Sequence, residues 1–440
     1  MILLHAALGV AIYLLPFLSK IYGFLILFLS LYFIVKTKNR NNEVLYASAY
    51  VVGVEVFLRM TGGNPNHEFS KYSVIVFLAI GMVYSGISKN AIPYWIYLIL
   101  LLPGVYIATQ SISLDAPNIR KTIMFNISGA FCLGVASLYC YNRKFSFEEI
   151  NNLLLLMGLP IISCAVYLVL YTPELKEVVT STGSNSETSG GFGPNQVATA
   201  LGLGMFIFFA RMIVASRNKT FLLINLLVGI LMLYRGLLTF SRGGMITGFL
   251  MIIVFFGFLY VYSRNIGKLK LIYIVGFIFI LLASTWAYTE SQTGGLISKR
   301  YANQDATGRV KDSQLTGRED LAMGEIEMFL ENPFFGVGAG KGTEIRSETM
   351  GYLVASHDEL TRILAEHGSL GILSLLILIF TPIFLYLDNK QHIYMLCFLV
   401  FWFLTINHAA MRTASPAFIY ALSLLKIKFN YDEEDSVHRK

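Results

Sequence analysis

The sequence predicts an all-α polytopic membrane protein with about 12–14 transmembrane helices and one large helical extracytoplasmic loop. Of its 440 residues 55% are hydrophobic and only 14% are charged, and mean hydropathy is +0.62. A soluble chain carries about a quarter charged residues and interrupts its apolar runs every few turns. Here apolar stretches of about 16 to 22 residues, long enough to cross a hydrocarbon core as helices, recur along the chain. One long polar segment, near residues 290–367, breaks the series.

In order, the stretches fall near 2–18, 21–35, 44–60, 73–88, 91–107, 122–140 and 152–172, then 196–215, 220–238, 244–262, 271–289, 369–387, 393–406 and 414–427. The first lacks the small-residue cleavage pattern of a signal peptide and reads as a retained signal anchor. The chain reads as a single membrane domain over 1–440 with two outward excursions. The shorter, 173–195, contains STGSNSETSGGFGPN, whose Ser, Thr and Gly content predicts a flexible loop. The longer, 290–367, carries a helix from Thr316 to Glu331 with an apolar stripe of Leu321, Ile326, Met328, Phe329 and Leu330. Its first turn is acidic, and Asn332-Pro333 stops it. The following NPFFGVGAGKG lacks the strand and the Lys-Ser/Thr of a phosphate-cradling loop, so its glycines predict a tight turn that folds back on the membrane helices.

Short loops rich in Lys and Arg face the cytoplasm. With the N-terminus inside, these hold Lys36, Lys38, Arg40, Lys89, Arg143, Lys144, Arg217, Lys219, Arg264, Lys268 and Lys270, and the C-terminal tail adds Lys426, Lys428, Arg439 and Lys440. Both termini are then cytoplasmic. The net charge of +7 follows from topology, and no basic stretch interleaved with aromatics points to nucleic acid. Cys132, Cys140, Cys164 and Cys397 all fall within apolar stretches without metal-ligand spacing, and read as small packing residues.

Polar residues on the outer side carry the functional signal. Arg242, in TFSRGGMITG, ends one span, and the two glycines after it allow close backbone approach by a ligand; alone, it can equally snorkel to the headgroups. Arg235 lies seven residues earlier and requires an anionic partner. Arg318 opens the loop helix beside Glu319 and Asp320. His357 precedes the helix bearing Arg362 and Glu366, where it acts as a base or merely caps the helix. Two arginines and a histidine on one membrane face define an anion site with a base. His408 and Arg412 face the same side and are acceptor-side candidates. His5, His67, His367, His392 and His438 read as structural.

In this pattern the chain resembles the bacterial O-antigen ligase and polymerase superfamily of membrane glycosyltransferases. The resemblance rests on Ser241-Arg242-Gly243, then Arg318 leading to Asn332-Pro333 and Gly336-Val337-Gly338, then His357-Asp358 with Gly368 and Gly371 at the matching spacing. It covers 195–387, and the first half only as hydrophobic spans. Asp358 departs from the family's Asn, Ser or Gln, and is expected either to raise the basicity of His357 or to mark another acceptor. The resemblance implies a donor glycan on undecaprenyl diphosphate in the bacterial inner membrane, with the active site on the periplasmic side. The implied acceptor is lipid A core for a ligase, a second lipid-linked glycan for a polymerase, or a protein hydroxyl for an O-oligosaccharyltransferase.

The chemistry expected is metal-independent inverting transfer, needing neither metal nor cofactor. Arg242 and Arg318, with Arg235 or Arg211, meet the charge developing on the diphosphate. His357 takes the acceptor proton, oriented by Arg362 and Glu366. A transporter or flippase for the same lipid-linked sugars is the rival of another class. It calls for two repeated halves with ionisable groups at mid-membrane. Here the good mid-span pair is Glu55 and Arg59, at i and i+4, which satisfy each other, and no internal repeat is present.

Overall fold

The computed structural model describes residues 1–113, 118–172, 174–311, 318–350 and 356–429; Pro173, Thr316, His438, Arg439 and Lys440, all invoked above, lie outside them. The first half holds α1 (Ile2–Leu14), α2 (Leu18–Thr37), α3 (Glu43–Met60), α4 (Phe69–Ser85), α5 (Ile92–Ser111), α6 (Ile119–Cys140) and α7 (Phe147–Tyr171). After the short α8 (Leu175–Val178) come α9 (Pro194–Val214), α10 (Lys219–Leu238), α11 (Arg242–Tyr262) and α12 (Asn265–Gln292). The polar segment forms α13 (Leu296–Tyr301), α14 (Arg318–Glu331) and α15 (Lys341–Met350), and α16 (Glu359–Asp388), α17 (Met395–His408) and α18 (Ser415–Leu422) complete the bundle. Among the described residues nine helices are long and apolar enough to cross a membrane, and α1, α4 and α17 are shorter apolar helices. Every expected apolar stretch is thus helical, although the last is only α18 followed by a strand.

Where backbone groups lie in an apolar surrounding they must bond internally, which is why the chain is nearly all helix. The strands β1 (Lys144–Ser146) and β2 (Lys426–Lys428) pair in parallel at one end of the bundle. Expected inner-loop residues meet there: Arg143 donates to the carbonyl of Gly86 at 3.0 Å, and Arg217 lies 3.7 Å from Glu148. All four cysteines are buried and free. His392 bonds the Leu422 carbonyl at 2.9 Å, consistent with its structural reading.

The opposite end carries the polar segment, docked by the glycines after α14. Gly336, Gly338 and Gly340 all take positive φ, and Cβ atoms on Gly336 and Gly338 would collide with the backbone of Glu366 and Ala108 at 2.4 and 2.6 Å. Val337 N–H donates to the Ala365 carbonyl at 2.8 Å and Ala339 N–H to Gly104 at 3.0 Å, so the loop is laced to α16 and α5. Gly368, at φ 59, breaks α16 where Ser369 N–H turns to the Pro333 carbonyl. The expected turn is therefore present, and Lys341 pairs with Glu344 at 2.9 Å.

The apolar stripe of α14 needs correction. Leu330 is exposed, whereas Glu325 is buried beside Met328. Glu325 pairs with Arg346 and accepts from Thr361 at 2.6 Å and Ser356 at 3.3 Å. A buried carboxylate with three donors joins α14 to α15 and α16 more specifically than apolar packing does.

Candidate functional site

At the end carrying the polar segment, a cavity of about 520 Å³ is lined by Ser241, Arg242, Arg300, Tyr301, Arg318 and His408 among others, with three guanidinium groups and no carboxylate among its described lining residues. Burial first, and then the charge of Arg242, lowers the pKa of both Arg300 and Arg318. Like charges held this close in a desolvated recess are stabilised by an anion.

The turn from α10 to α11 builds this wall. Phe240 adopts φ 56, rare for a bulky residue and costing on the order of 1 kcal/mol, and it is fully buried. Its carbonyl accepts Arg300 Nε–H at 2.9 Å, while Ser241 Oγ–H donates to Asn195 at 2.7 Å. Arg242 then begins α11, so first-turn N–H groups and the positive helix end adjoin the cavity. Gly244 and Gly248 let α11 approach α9: a Cβ on Gly244 would lie 2.3 Å from the Thr199 nitrogen, and one on Gly248 2.4 Å from the Gly202 carbonyl.

Arg300 was not anticipated. No spacing marks it in the sequence; it joins the site because α13 folds over the 239–241 turn, where Arg300 is 9% exposed and also donates to Ser184 at 3.3 Å.

His357 lies between Ser356 and the start of α16. Burial first, then Arg412, Arg318 and His408, holds its pKa down at about 4, so the ring is neutral near pH 7. Its Nδ1 is buried without a hydrogen-bond partner among the described residues. Two arginines fix the backbone nearby: Arg318 donates to the His408 carbonyl at 3.3 Å and Arg412 to that of Ser356 at 3.0 Å. Arg412 borders a second cavity, of about 450 Å³, which Ser356 also lines. His357 is thus within electrostatic reach of residues belonging to both cavities.

Several expectations change. His357 is not a helix cap; Asp358 is, its Oδ1 accepting Leu360 N–H at 2.8 Å. The Asp358 carboxyl has a raised pKa, chiefly from burial, and the His357 ring beside it is held below its ordinary value by burial and then Arg412, so the ring is made less basic rather than more. Arg362 pairs with Glu359 and, at 3.1 Å, with Glu366, and bonds Asn126, tying α16 to α6 rather than orienting His357. Arg211 stands 16 residues along α9 from Asn195, about 24 Å away at helical rise, and bonds the Asn151 carbonyl at the other end of the bundle. Arg235 shares the end of the site but is only 2% exposed, donates to the Thr188 carbonyl at 3.3 Å and does not line the cavity. Both fail as ligands for the reason sequence reading favoured them: buried arginines in apolar helices also arise by bonding backbone carbonyls.

His408 lines the first cavity and Arg412 the second, and both are among the groups that lower the pKa of His357. The Glu55–Arg59 pair is present at 2.7 Å and does more than satisfy itself. Glu55 accepts Ala414 N–H at 2.8 Å and Arg59 donates to the Arg412 carbonyl at 3.1 Å, pinning the α17–α18 turn.

Fold and cavity together define a multi-pass helical membrane protein with an arginine-lined recess at one end of its bundle. Residues 227–376 match the family model described as O-antigen ligase, which supports the resemblance of this part of the chain to the O-antigen ligase superfamily. Members of that family are glycosyltransferase-like enzymes acting on lipid-linked glycans in a membrane setting. The match spans Arg242, Arg300, Arg318 and His357, and stops short of His408 and Arg412. No curated protein matches the chain.

Proposed function

We propose that the protein is an O-antigen ligase-like glycosyltransferase that moves a glycan from undecaprenyl diphosphate to an acceptor hydroxyl, with lipid A core as the first acceptor to test. The observation that carries this reading is a neutral histidine set beside a cavity lined by three arginines. The diphosphate sits in that cavity against Arg242, Arg300 and Arg318, whose planar forks suit phosphate oxygens. The acceptor oxygen attacks C1 of the donor sugar from the face opposite the diphosphate. As that bond forms, the C1–O bond to the diphosphate breaks, and its electron pair passes to an oxygen held by the arginines. His357 takes the acceptor proton, and the anomeric centre inverts.

The arginines supply the positive charge that a divalent ion supplies elsewhere, so the reaction is expected to persist in EDTA. The basic turns at the strand-bearing end support an orientation with that end in the cytoplasm and with segments 173–195 and 290–367 on the periplasmic side of the bacterial inner membrane.

The deciding experiment uses protein in nanodiscs with undecaprenyl-diphosphate-linked glycan and lipid A core. Glycosylated core that vanishes in His357→Ala supports the proposal. Wild-type turnover in His357→Ala, Arg242→Ala and Arg318→Ala alike would overturn it.

A further inference from the structure

Among the described residues the second cavity is lined by Lys71, Lys121, Arg362 and Arg412 against a single carboxylate, Glu359. Two of these cations are committed within the protein. Lys71 pairs with Glu68 at 2.7 Å, and Arg362 with Glu359 and Glu366. Lys121 and Arg412 have no carboxylate within ion-pair distance among the described residues. Arg412 spends one N–H on the Ser356 carbonyl, and none of its other nitrogens is sealed from the cavity as a buried unpartnered donor. Lys121 sits in the first turn of α6, a 22-residue helix whose positive end opens on the same space through Asn118 and Thr122.

We propose that this cavity is the acceptor site and that it selects an acceptor carrying a phosphate or diphosphate group close to the hydroxyl that is glycosylated. The anion bridges Arg412 and Lys121. Because Arg412 bonds the carbonyl of the residue preceding His357, an anion held there sets the acceptor hydroxyl next to the imidazole. The inference rests on the transfer reaction proposed above for its catalytic meaning, but its binding claim stands apart from turnover. Two chemically similar sources supply such a group: the diphosphate of a second lipid-linked glycan, or a phosphorylated sugar of lipid A core.

The first arm of the test is binding of inorganic diphosphate to the full chain in nanodiscs, by calorimetry. Two sites are expected. Arg242→Gln with Arg300→Gln removes one, and Arg412→Gln with Lys121→Gln removes the other; Lys121→Gln alone, at an exposed position, weakens the second site without risk to folding. A single site, or two sites that survive the Arg412/Lys121 variant, overturns the proposal.

The second arm measures transfer to a second lipid-linked glycan, to phosphorylated core and to enzymatically dephosphorylated core. The acceptor KM is expected to rise about tenfold or more in Lys121→Gln for whichever anionic acceptor is used, as for loss of a charged hydrogen bond, and donor KM to stay unchanged. Use of the second lipid-linked glycan identifies the diphosphate as the source, and use of phosphorylated core identifies the core phosphate. Equal acceptor KM for phosphorylated and dephosphorylated core, with no shift in the variant, overturns the anionic assignment while leaving transfer itself intact. Absence of transfer to every acceptor counts against the enzymatic reading, and the diphosphate titration still decides the site.

Discussion

Gly243 and His408 occupy adjoining space so tightly that a Cβ on the glycine would lie 2.5 Å from Cγ and 2.6 Å from Cδ2 of the imidazole. The ring can therefore rest on the first turn of α11, where its Nδ1 bonds the Leu404 carbonyl at 2.7 Å and its Nε2 meets Thr199 Oγ at 3.1 Å. The His408 carbonyl in turn accepts from Arg318. Gly243 thus fixes the seat of one guanidinium through a residue 165 positions away, which is a physical reason for glycine after Ser241-Arg242.

Gly243→Ala is expected to displace the His408 ring and with it Arg318, lowering donor turnover on the order of tenfold while the protein still inserts and folds. Gly257→Ala, where an added methyl meets nothing within 4 Å, is the control. The measurement is transfer rate against thermal stability in nanodiscs for both variants; equal rates in the two would dissociate Gly243 from the site.

Arginine geometry distinguishes the cavity from its look-alikes. Arg242→Lys and Arg318→Lys keep the charge but lose the fork, so donor turnover is expected to fall at least tenfold in each. Arg300→Gln should raise donor KM by a similar factor, since its guanidinium lines the same wall. Arg211→Gln, altered at the far end of α9, should leave transfer unchanged. A transfer defect in Arg211→Gln with normal folding would count against the corrected assignment.

Asp358 is a structural test case. An N-cap replaced by Ala costs about 1 kcal/mol, whereas Asn and Ser cap as well as Asp. Asp358→Asn and Asp358→Ser are therefore expected to retain wild-type stability and turnover, and Asp358→Ala to lose stability and a modest part of the rate. A large loss of turnover in Asp358→Asn at unchanged stability would instead assign the carboxylate a chemical role.

What the sequence disclosed and what it hid divide along a physical line. Apolar length marks helices, because every span must bury its backbone, and each expected stretch is helical except the last, which is the short α18 followed by β2. Arg242, Arg318 and His357 were legible because they stand at span or helix boundaries with glycines, Asn-Pro or acidic residues beside them. Arg300 was not, since its place depends on how α13 folds over Phe240, a long-range event without local pattern. Arg211 and Arg235 misled because a buried arginine bonded to a carbonyl has the same local sequence as one aimed at a ligand. Glu325 was hidden on a helix read by its apolar residues, although its three donors come from α15, α16 and the segment between them.

His357 sets the pH response, and the direction follows from its neighbours. Burial and the charges of Arg412, Arg318 and His408 hold the free protein's imidazole at about 4, so the neutral base is present throughout the range from about pH 5 to 8, and kcat/KM should be flat there. A bound diphosphate places negative charge against Arg318, which offsets part of that repulsion and raises the ring's pKa in the complex. Activity of the complex depends on the neutral ring, so kcat should decline as pH falls toward 5 even while kcat/KM does not. By linkage the donor binds more tightly as pH falls, because the bound state takes up the proton more readily. Arg412→Gln removes one of the depressing charges and should move the acidic limb of kcat/KM upward. Rate profiles from about pH 4 to 8 for wild type and Arg412→Gln decide the matter. An acidic limb at the ordinary histidine value in wild type, unmoved by Arg412→Gln, would take the general base away from His357.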